Sequence, residues 1–600
     1  MSYRNSAAGA VADTEFGVVE REVAASVGGP AERRPARTKP ASERAPVSQL
    51  LELLVDAGLG QVEVFAEYRM PGTARRLDLL VAGIHPETGA PSYLVFEVER
   101  GGGPGATAQL RSYCDYLVST NSGLRDHPER VAGLVYQAGA RPGGAPEASA
   151  DDRIRVFTPQ RHPELVAFLR SRLAPVSGAF AADQLVAAEL SEPRPLIAAA
   201  RAEVRENEQF VLLAEQRIAH DAVLAAVART RSEGGKRAVV ITGGAGTGKS
   251  VVALSLLGEL SRAGTVALHA TGSKVLTTAL RKSIGGARGA GLFRYFNSFA
   301  GAERNSVDVL ICDEAHRLRE TSANRYTRAA DRTGRSQIGE IMEAARVSVF
   351  LLDERQSVRP GEIGTLRELL GEAARLGIPC TIVELGEVFR GNGSEEYPDW
   401  VSGLLDPTPG ERRAWVPDGR YRLGAVESPQ EMEEFLAAEM AAGRSARLTA
   451  GFCWPWHTGV RPGQPLPADV VIGDWARPWN VAGDRAVGDA PPAAAWATDP
   501  RGFGQIGSVY TTQGMEYDWN GVIFGPDLVW RADRWQVDRT ASKDPVFTRR
   551  GRDVDVDAMI RNTYRVLLTR GMLGTLLYST DAETRAKFRE LCPPIQELRP

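Results

Sequence analysis

Cysteine is scarce in this chain and long apolar runs are missing. The five cysteines, Cys114, Cys312, Cys380, Cys453 and Cys592, lie far apart with no CxxC pair. That spacing excludes a zinc ribbon and a disulfide framework, and it points to a reducing compartment. No stretch approaches the roughly 18 consecutive apolar residues of a membrane span. The opening MSYRNSAAGAVADTEFG lacks the apolar core of a signal peptide. The expectation is a cytoplasmic chain with no membrane partner. Positive charge is also not in excess: the formal net charge is −3. Any nucleic-acid site must therefore be a local basic groove, not a general coat. Internal repeats are absent, which excludes a solenoid.

What is present is a large globular chain. Its 600 residues are 43% hydrophobic, enough for roughly three to five domains. Residues 1–45, rich in Ala, Arg, Pro and Glu as in GGPAERRP, have the composition of a disordered arm. Residues 47–58 space Leu50, Leu51, Leu54 and Val55 as an amphipathic helix. Strand-like runs at 76–81 and 93–98, a helix at 108–118 and a strand at 131–136 predict a small α/β domain over 46–175. Residues 176–205 form a predicted helical connector. Beyond it, strands alternate with helices, the pattern of parallel sheets. The Pro/Ala-rich stretch 475–500 is an expected loop.

The chemistry concentrates at two motifs. Residues 237–242, RAVVIT, form an apolar strand run, and Gly243-Gly244-Ala245-Gly246-Thr247-Gly248-Lys249-Ser250 follows at once, then a helical pattern. Strand, glycine-rich loop and helix together make a phosphate-binding loop. Its backbone N–H groups and the helix N-terminus attract phosphate. Lys249 reaches the β- and γ-phosphates and Ser250 ligates Mg²⁺. A second apolar run, Val309-Leu310-Ile311-Cys312, ends in Asp313-Glu314-Ala315-His316. In that position Asp313 holds Mg²⁺ through water and Glu314 polarises the attacking water.

From about residue 210 to 578 these motifs and those that follow resemble a superfamily 1 helicase. FVLLAEQ at 210–216 resembles the adenine-reading Q motif, with Gln216 as the base contact. Thr271-Gly272-Ser273 resembles motif Ia, which lies on the nucleic-acid strand. Residues 349–356, ending in Gln356, resemble motif III, which couples the γ-phosphate to the groove. Residues 387–390 resemble motif IV, with Arg390 as a first arginine finger. Residues 510–516 resemble motif V, with Glu516 as a nucleotide contact. Residues 564–571 resemble motif VI, with Arg570 as the second finger. An arginine finger contributes about 10³ to 10⁵ in rate. The resemblance implies two RecA-like α/β domains with parallel sheets, at 206–382 and 383–600. More narrowly, residues 352–360, 450–456 and 562–571 resemble the DUF2075 group, related to the helicase domain of Schlafen proteins. Trp454 and Trp456 are either base-stacking platforms or packing residues.

In the N-terminal domain, Asp78 sits in one apolar strand and Glu97 and Glu99 share a face of the next. Gln109 and Tyr113 match a QxxxY pattern, and Glu52 adds a carboxylate on the first helix. This layout resembles the PD-(D/E)XK, RecB-like nuclease fold, in which the paired acids hold Mg²⁺ or Mn²⁺. Glu99 stands where that family has lysine. Arg76 or Arg111 would have to supply the missing cation. The whole resembles the bacterial nuclease–helicase immunity proteins that restrict phage. The implied function is an ATP-dependent motor on DNA, single-stranded or forked, with RNA an alternative, coupled to a nuclease. The alternative is a motor or nucleic-acid sensor whose degenerate N-terminal domain only binds.

Overall fold

The structure, a computed structural model, describes residues 3–7, 41–70, 76–99, 106–137, 153–187, 196–205, 212, 214–285, 291–323, 327–328, 332–386, 394, 396–460, 464–547 and 555–598. The chain forms two compact units. One is Met1–Pro193 with Val211–Ala214; the other is Arg194–Phe210 with Glu215–Pro600.

The first unit is built on a six-stranded sheet: β1 (Tyr3–Ser6), β2 (Glu63–Arg69), β3 (Arg76–Ile84), β4 (Pro91–Glu99), β5 (Val131–Gln137) and β6 (Ile154–Phe157), in that spatial order. The first four pair antiparallel; β4, β5 and β6 pair parallel. A parallel neighbour needs a crossover, and helix α2 (Ala106–Thr120) supplies it between β4 and β5. Helices α1 (Ala41–Asp56) and α3 (His162–Arg172) send Leu50, Leu54, Leu165 and Leu169 into one core with Leu79, Leu94 and Phe96. β4 is buried along its first six residues and half-exposed at Glu97, Val98 and Glu99.

Two sequence expectations change here. Within the expected arm, Tyr3–Ser6 pairs with Ser6 opposite Glu63 and Tyr3 opposite Ala66, and α1 begins at Ala41. Four residues of edge strand carry too little pattern to show against the Ala/Arg/Pro background. Residues 8–40 lie outside the described residues. The expected connector is divided between the units. Helix α4 (Ala179–Ala187) takes a hydrogen bond from Tyr93 to the Ala181 carbonyl, while α5 (Leu196–Arg205) belongs to the second unit.

The second unit holds two parallel sheets. The first runs β12 (Cys380–Leu385), β7 (Arg237–Gly243), β11 (Ala345–Leu352), β10 (Val307–Asp313), β8 (Ala267–Thr271) and β9 (Phe293–Tyr295). Every pairing is parallel, so all carboxyl ends share one edge. Open parallel sheets bind ligands at that edge. Helix α6 (Ala214–Glu233) leads into β7, and helices α7 (Lys249–Arg262), α8 (Lys274–Ile284), α9 (Gln337–Ala344) and α10 (Leu366–Arg375) connect the strands. β12 carries this sheet to Leu385, past the expected boundary at 382. Its exposed, mixed sequence CTIVEL does not read as a buried strand.

The second sheet runs β13 (Arg422–Ala425), β21 (Gly571–Ser579), β18 (Tyr517–Phe524), β14 (Ala446–Ala450) and β17 (Ile506–Gly507), again all parallel. Helices α11 (Glu396–Leu404), α12 (Pro429–Ala441), α13 (Val509–Thr512), α14 (Val556–Leu568) and α15 (Ala582–Leu591) accompany it. Hairpins β15–β16 (Val470–Ile472, Trp475–Arg477) and β19–β20 (Leu528–Arg531, Arg534–Val537) decorate it. The stretch expected as a loop at 475–500 starts with β16 and buries Trp479 and Trp496. Arg447 anchors it: its guanidinium donates to the Trp496 and Asp499 carbonyls at 2.7 and 2.6 Å. Burial lowers that guanidinium to about 10. Trp496 packs with Ala279 of α8, Met515 and Tyr517 in a small core shared by both sheets.

Candidate active site

Residues 244–248 form the loop between β7 and α7. Gly246 and Gly248 take φ of 85° and 81°, a left-handed backbone that favours glycine. Lys249 opens α7, and its ammonium donates to the Gly243 and Gly244 carbonyls at 2.8 and 2.7 Å. Ser250 follows in the first helical turn. Gln216, buried on α6, donates to the Thr247 carbonyl at 3.3 Å. The predicted adenine reader thus touches the phosphate loop itself.

Asp313 ends β10, two strands from β7, with β11 between. It is buried; one carboxylate oxygen accepts the Glu314 N–H at 2.9 Å and the other lies 3.4 Å from His269 Nε2. Ser250 and Asp313 fit Mg²⁺, which takes one or two protein oxygens and leaves the rest to phosphate and water. Bound there, Mg²⁺ would neutralise charge on the transferring phosphoryl group. Glu314 adopts φ 55°, a strained backbone for a non-glycine residue of the kind held at functional sites. Its carboxylate lies 3.0 Å from His316 Nε2. Burial pushes Glu314 up, but the hydrogen bond from His316 and the charges of His316, Arg570 and Lys249 outweigh it. They hold the group well below the usual carboxylate range, so Glu314 is ionised at neutral pH.

A ring of contacts closes around these groups. Asp353 Oδ2 lies 4.0 Å from Lys249 and accepts the Gln356 amide at 2.7 Å. Gln513, which follows α13 on the second sheet's side, is fully buried. Its amide nitrogen lies 2.9 Å from His316 Nε2 and donates to the Gln356 carbonyl at 3.1 Å. Asn562 of α14 donates to the Ser357 carbonyl at 3.0 Å. Four motifs that are remote in sequence therefore meet in one cluster of polar contacts between the sheets.

Arg570, after α14, is buried and donates to the Val566 carbonyl at 2.8 Å and to Thr569 at 3.0 Å. Its charge reaches Glu314. Arg565, one helical turn earlier, was not singled out from the sequence. Burial lowers its guanidinium, with Arg355 adding to the shift and Asp353 opposing it. The regular spacing of arginines on α14, at 561 and 565, was the available signal. Arg390 lies outside the described residues, as does the rest of the motif IV-like segment. Glu516 accepts the Leu196 N–H at the head of α5, at 3.2 Å, so its visible role is to anchor that helix. Thr271 and Ser273 are buried; Ser273 caps α8 by accepting the Leu276 N–H. Trp454 donates to the Val471 carbonyl, and Trp456 stacks on Trp479 at 5.5 Å.

In the first unit, Leu79 opposes Phe96 across β3 and β4, so Asp78 opposes Glu97 one step further along the ladder. Opposed residues share a face. Asp78 is buried and accepts the Val98 N–H at 2.8 Å. Glu99 is two residues on from Glu97, on the same face. Gln109 donates to the Tyr113 hydroxyl at 2.7 Å within α2. Glu52 is solvent-exposed on α1. Among the described residues, no three acids, histidines or cysteines gather as a metal site.

The model of the family described as Schlafen group 3, DNA/RNA helicase domain, matches residues 236–581, more than half of the chain. The chain belongs to that family. The match runs from the strand before the phosphate loop, through the cluster around Glu314, to the end of the second sheet. The Schlafen group 3 chain also resembles an uncharacterized protein of Saccharomyces cerevisiae, YPL245W. The two are 23% identical over 397 residues, 58% of this chain and 83% of the yeast protein. Among solved structures, Pif1 helicase from Candida albicans aligns at 12% identity and a TM-score of 0.28, over 63% of this chain and 97% of its own. NtrX from Brucella abortus, solved in complex with ATP, aligns at 14% identity and a TM-score of 0.17, over 55% and 67%. Among the described residues no helix is long and apolar enough to cross a membrane.

Proposed function

We propose that this chain is an ATP-driven motor that translocates along or unwinds nucleic acid, with DNA as its strand. The observation that carries this is Gln513: it comes from the second sheet, donates to the Gln356 carbonyl and lies against His316, which faces Glu314 on the first. Lys249 binds the β- and γ-phosphates, Asp313 and Ser250 hold Mg²⁺, and Glu314 orients the attacking water. Arg570, with Arg390, neutralises the γ-phosphoryl group when the sheets close. Hydrolysis then reports closure, and closure moves the strand. Lys249→Ala and Glu314→Gln are expected to lower strand-stimulated ATPase by about 100-fold or more. Wild-type hydrolysis that is indifferent to added single-stranded or forked DNA sinks the motor reading.

For the N-terminal unit, the Asp78–Glu97 pair supports strand cleavage with Mg²⁺ or Mn²⁺. Glu99 in place of lysine, and the engagement of Asp78 by a backbone N–H, favour a second reading: a nuclease-like module that binds the strand without cutting. Incubating wild type and Asp78→Ala with labelled DNA decides between them. Metal-dependent cutting that disappears in Asp78→Ala establishes the nuclease. Intact DNA in both leaves the binding module. A motor joined to a nuclease-like unit suits restriction of phage replication, and loss of plaque reduction in Lys249→Ala would support that role.

A further inference from the structure

A cavity of about 360 Å³ lies in the segment between β14 and β17, lined by Trp456, His457, Asn480, Asp484 and Arg485 among others. Its size falls within the ~300–1,000 Å³ of small-ligand sites. Three features give it a chemistry. First, Trp456 is half-exposed and braced: it stacks on the buried Trp479, whose indole N–H donates to the Pro455 carbonyl at 3.0 Å. Second, Asn480 is fully buried, yet its Oδ1 has no hydrogen-bond partner. Its Nδ2 donates to the Val481 carbonyl at 2.9 Å, and flipping the amide would set oxygen against oxygen, so the orphan atom is the acceptor. A buried acceptor left unmade costs about 1–3 kcal/mol, which a donor entering the cavity would recover once a small local shift uncovers the atom. Third, Asp484 in the cavity wall pairs with Lys274 at 2.6 Å. Lys274 is the first residue of α8, directly after Thr271-Gly272-Ser273.

We propose that this cavity receives one unpaired base of the bound strand, stacked on Trp456 and donating an N–H to Asn480 Oδ1. The proposal rests on the strand-motor reading above. A strand running past the head of α8 passes beside the cavity wall at Asp484. Every nucleobase has an aromatic face and at least one N–H on its pairing edge, so the pocket holds a base without reading sequence. A motor that must move along any strand requires that tolerance. His457, its ring held by Asp469 at 2.6 Å, completes a polar rim.

The test is an abasic scan with the full-length protein. The shortest fluorescein-labelled single strand that binds is remade with one abasic nucleotide at each position in turn, and affinity is read by anisotropy. One position is expected to lose about 5- to 150-fold in affinity, the range that base–aromatic stacking commands. Trp456→Ala is expected to abolish that dip, Trp456→Phe to retain it, and Asn480→Leu to make it shallower. Because the wild-type scan needs no substitution, a variant that fails to fold leaves the test intact. Tight binding with a flat wild-type scan overturns the pocket while the motor stands. A dip that survives in Trp456→Ala also overturns it. A free deoxynucleoside monophosphate that quenches tryptophan fluorescence without competing with the strand assigns the cavity to a small molecule and overturns the strand proposal. Failure of the wild type to bind any strand, with ATPase unstimulated, removes the motor reading itself.

Discussion

Gly364 shows how tightly the segment after Glu314 is held from behind. A Cβ on it would lie 1.9 Å from the Ala315 carbonyl oxygen and 2.7 Å from His316 Cα. Backbone cannot yield as a flexible side-chain tip does, so the segment carrying Glu314 would have to shift. Overpacking of this kind costs about 1–3 kcal/mol, and a displaced catalytic group costs about 100-fold in rate. Gly364→Ala is therefore expected to lower ATPase far more than it lowers the unfolding temperature. Gly371, in α10 with nothing within 4 Å, is the control: Gly371→Ala should leave ATPase unchanged and stabilise by up to about 1 kcal/mol. Gln513 makes the complementary case. Gln513→Leu removes the polar contact with His316 and the bond to the Gln356 carbonyl while keeping side-chain bulk. Basal hydrolysis is expected to persist, and stimulation by single-stranded DNA to fall about tenfold, which equals roughly 1.4 kcal/mol of coupling. Stimulation equal to wild type would show that the contact does not transmit strand binding.

At the scale of elements, Asp581 closes the second sheet's side. It caps α15, accepting the Thr584 N–H at 2.8 Å, and pairs with Arg531 of β19 at 2.5 and 2.8 Å. The Arg531 hydrogen bond, with those of Thr584 against an opposing burial effect, holds its carboxyl far below the usual range. A folded pKa below the unfolded value gives stability that is complete above the unfolded pKa, about 3.9, and is lost as pH falls through the folded one. Asp581→Ala is expected to cost about 1 kcal/mol at pH 7. The difference from wild type should narrow below about pH 4; a constant difference down to pH 3 would show that the charge contributes nothing. Elements of this kind differ in how plainly the sequence shows them. β7 and β10 are legible because a buried parallel strand is a continuous apolar run, and the loops after them carry fixed residue types. β1, β12 and the hairpin at 470–477 are not legible, because edge strands mix polar and apolar residues and draw order from partners distant in sequence. The same holds within the site. Lys249, Asp313 and Glu314 are set by local motifs, whereas the pairing of Gln513 with His316, the contact of Gly364 and the cavity at Asn480 exist only after the chain has folded.

For the whole molecule, the division into two units has a thermodynamic consequence. Met1–Pro193 has its own core around Leu50, Leu79, Phe96 and Leu165, and the phosphate loop lies wholly in the other unit. Chains built this way unfold in more than one step. A ligand stabilises only the unit that binds it, by RT ln(1 + [L]/Kd), about 2.7 kcal/mol at a hundredfold excess over Kd. Calorimetry with Mg²⁺ and a non-hydrolysable ATP analogue is therefore expected to raise one transition and leave the other in place. Lys249→Ala should cancel the rise, because it removes the ammonium of the phosphate loop. Asp78→Ala should move only the transition that the nucleotide ignores. It removes the carboxylate that accepts the Val98 N–H, leaving a buried donor unmade at a cost of about 1–3 kcal/mol. A single transition that shifts as a whole with nucleotide would mean that the two cores melt as one cooperative body. Measurements on Asp78 variants would then report on the motor as well as on the N-terminal unit, and loss of strand cleavage or binding in them could be assigned to that unit only after ATPase had been shown to survive.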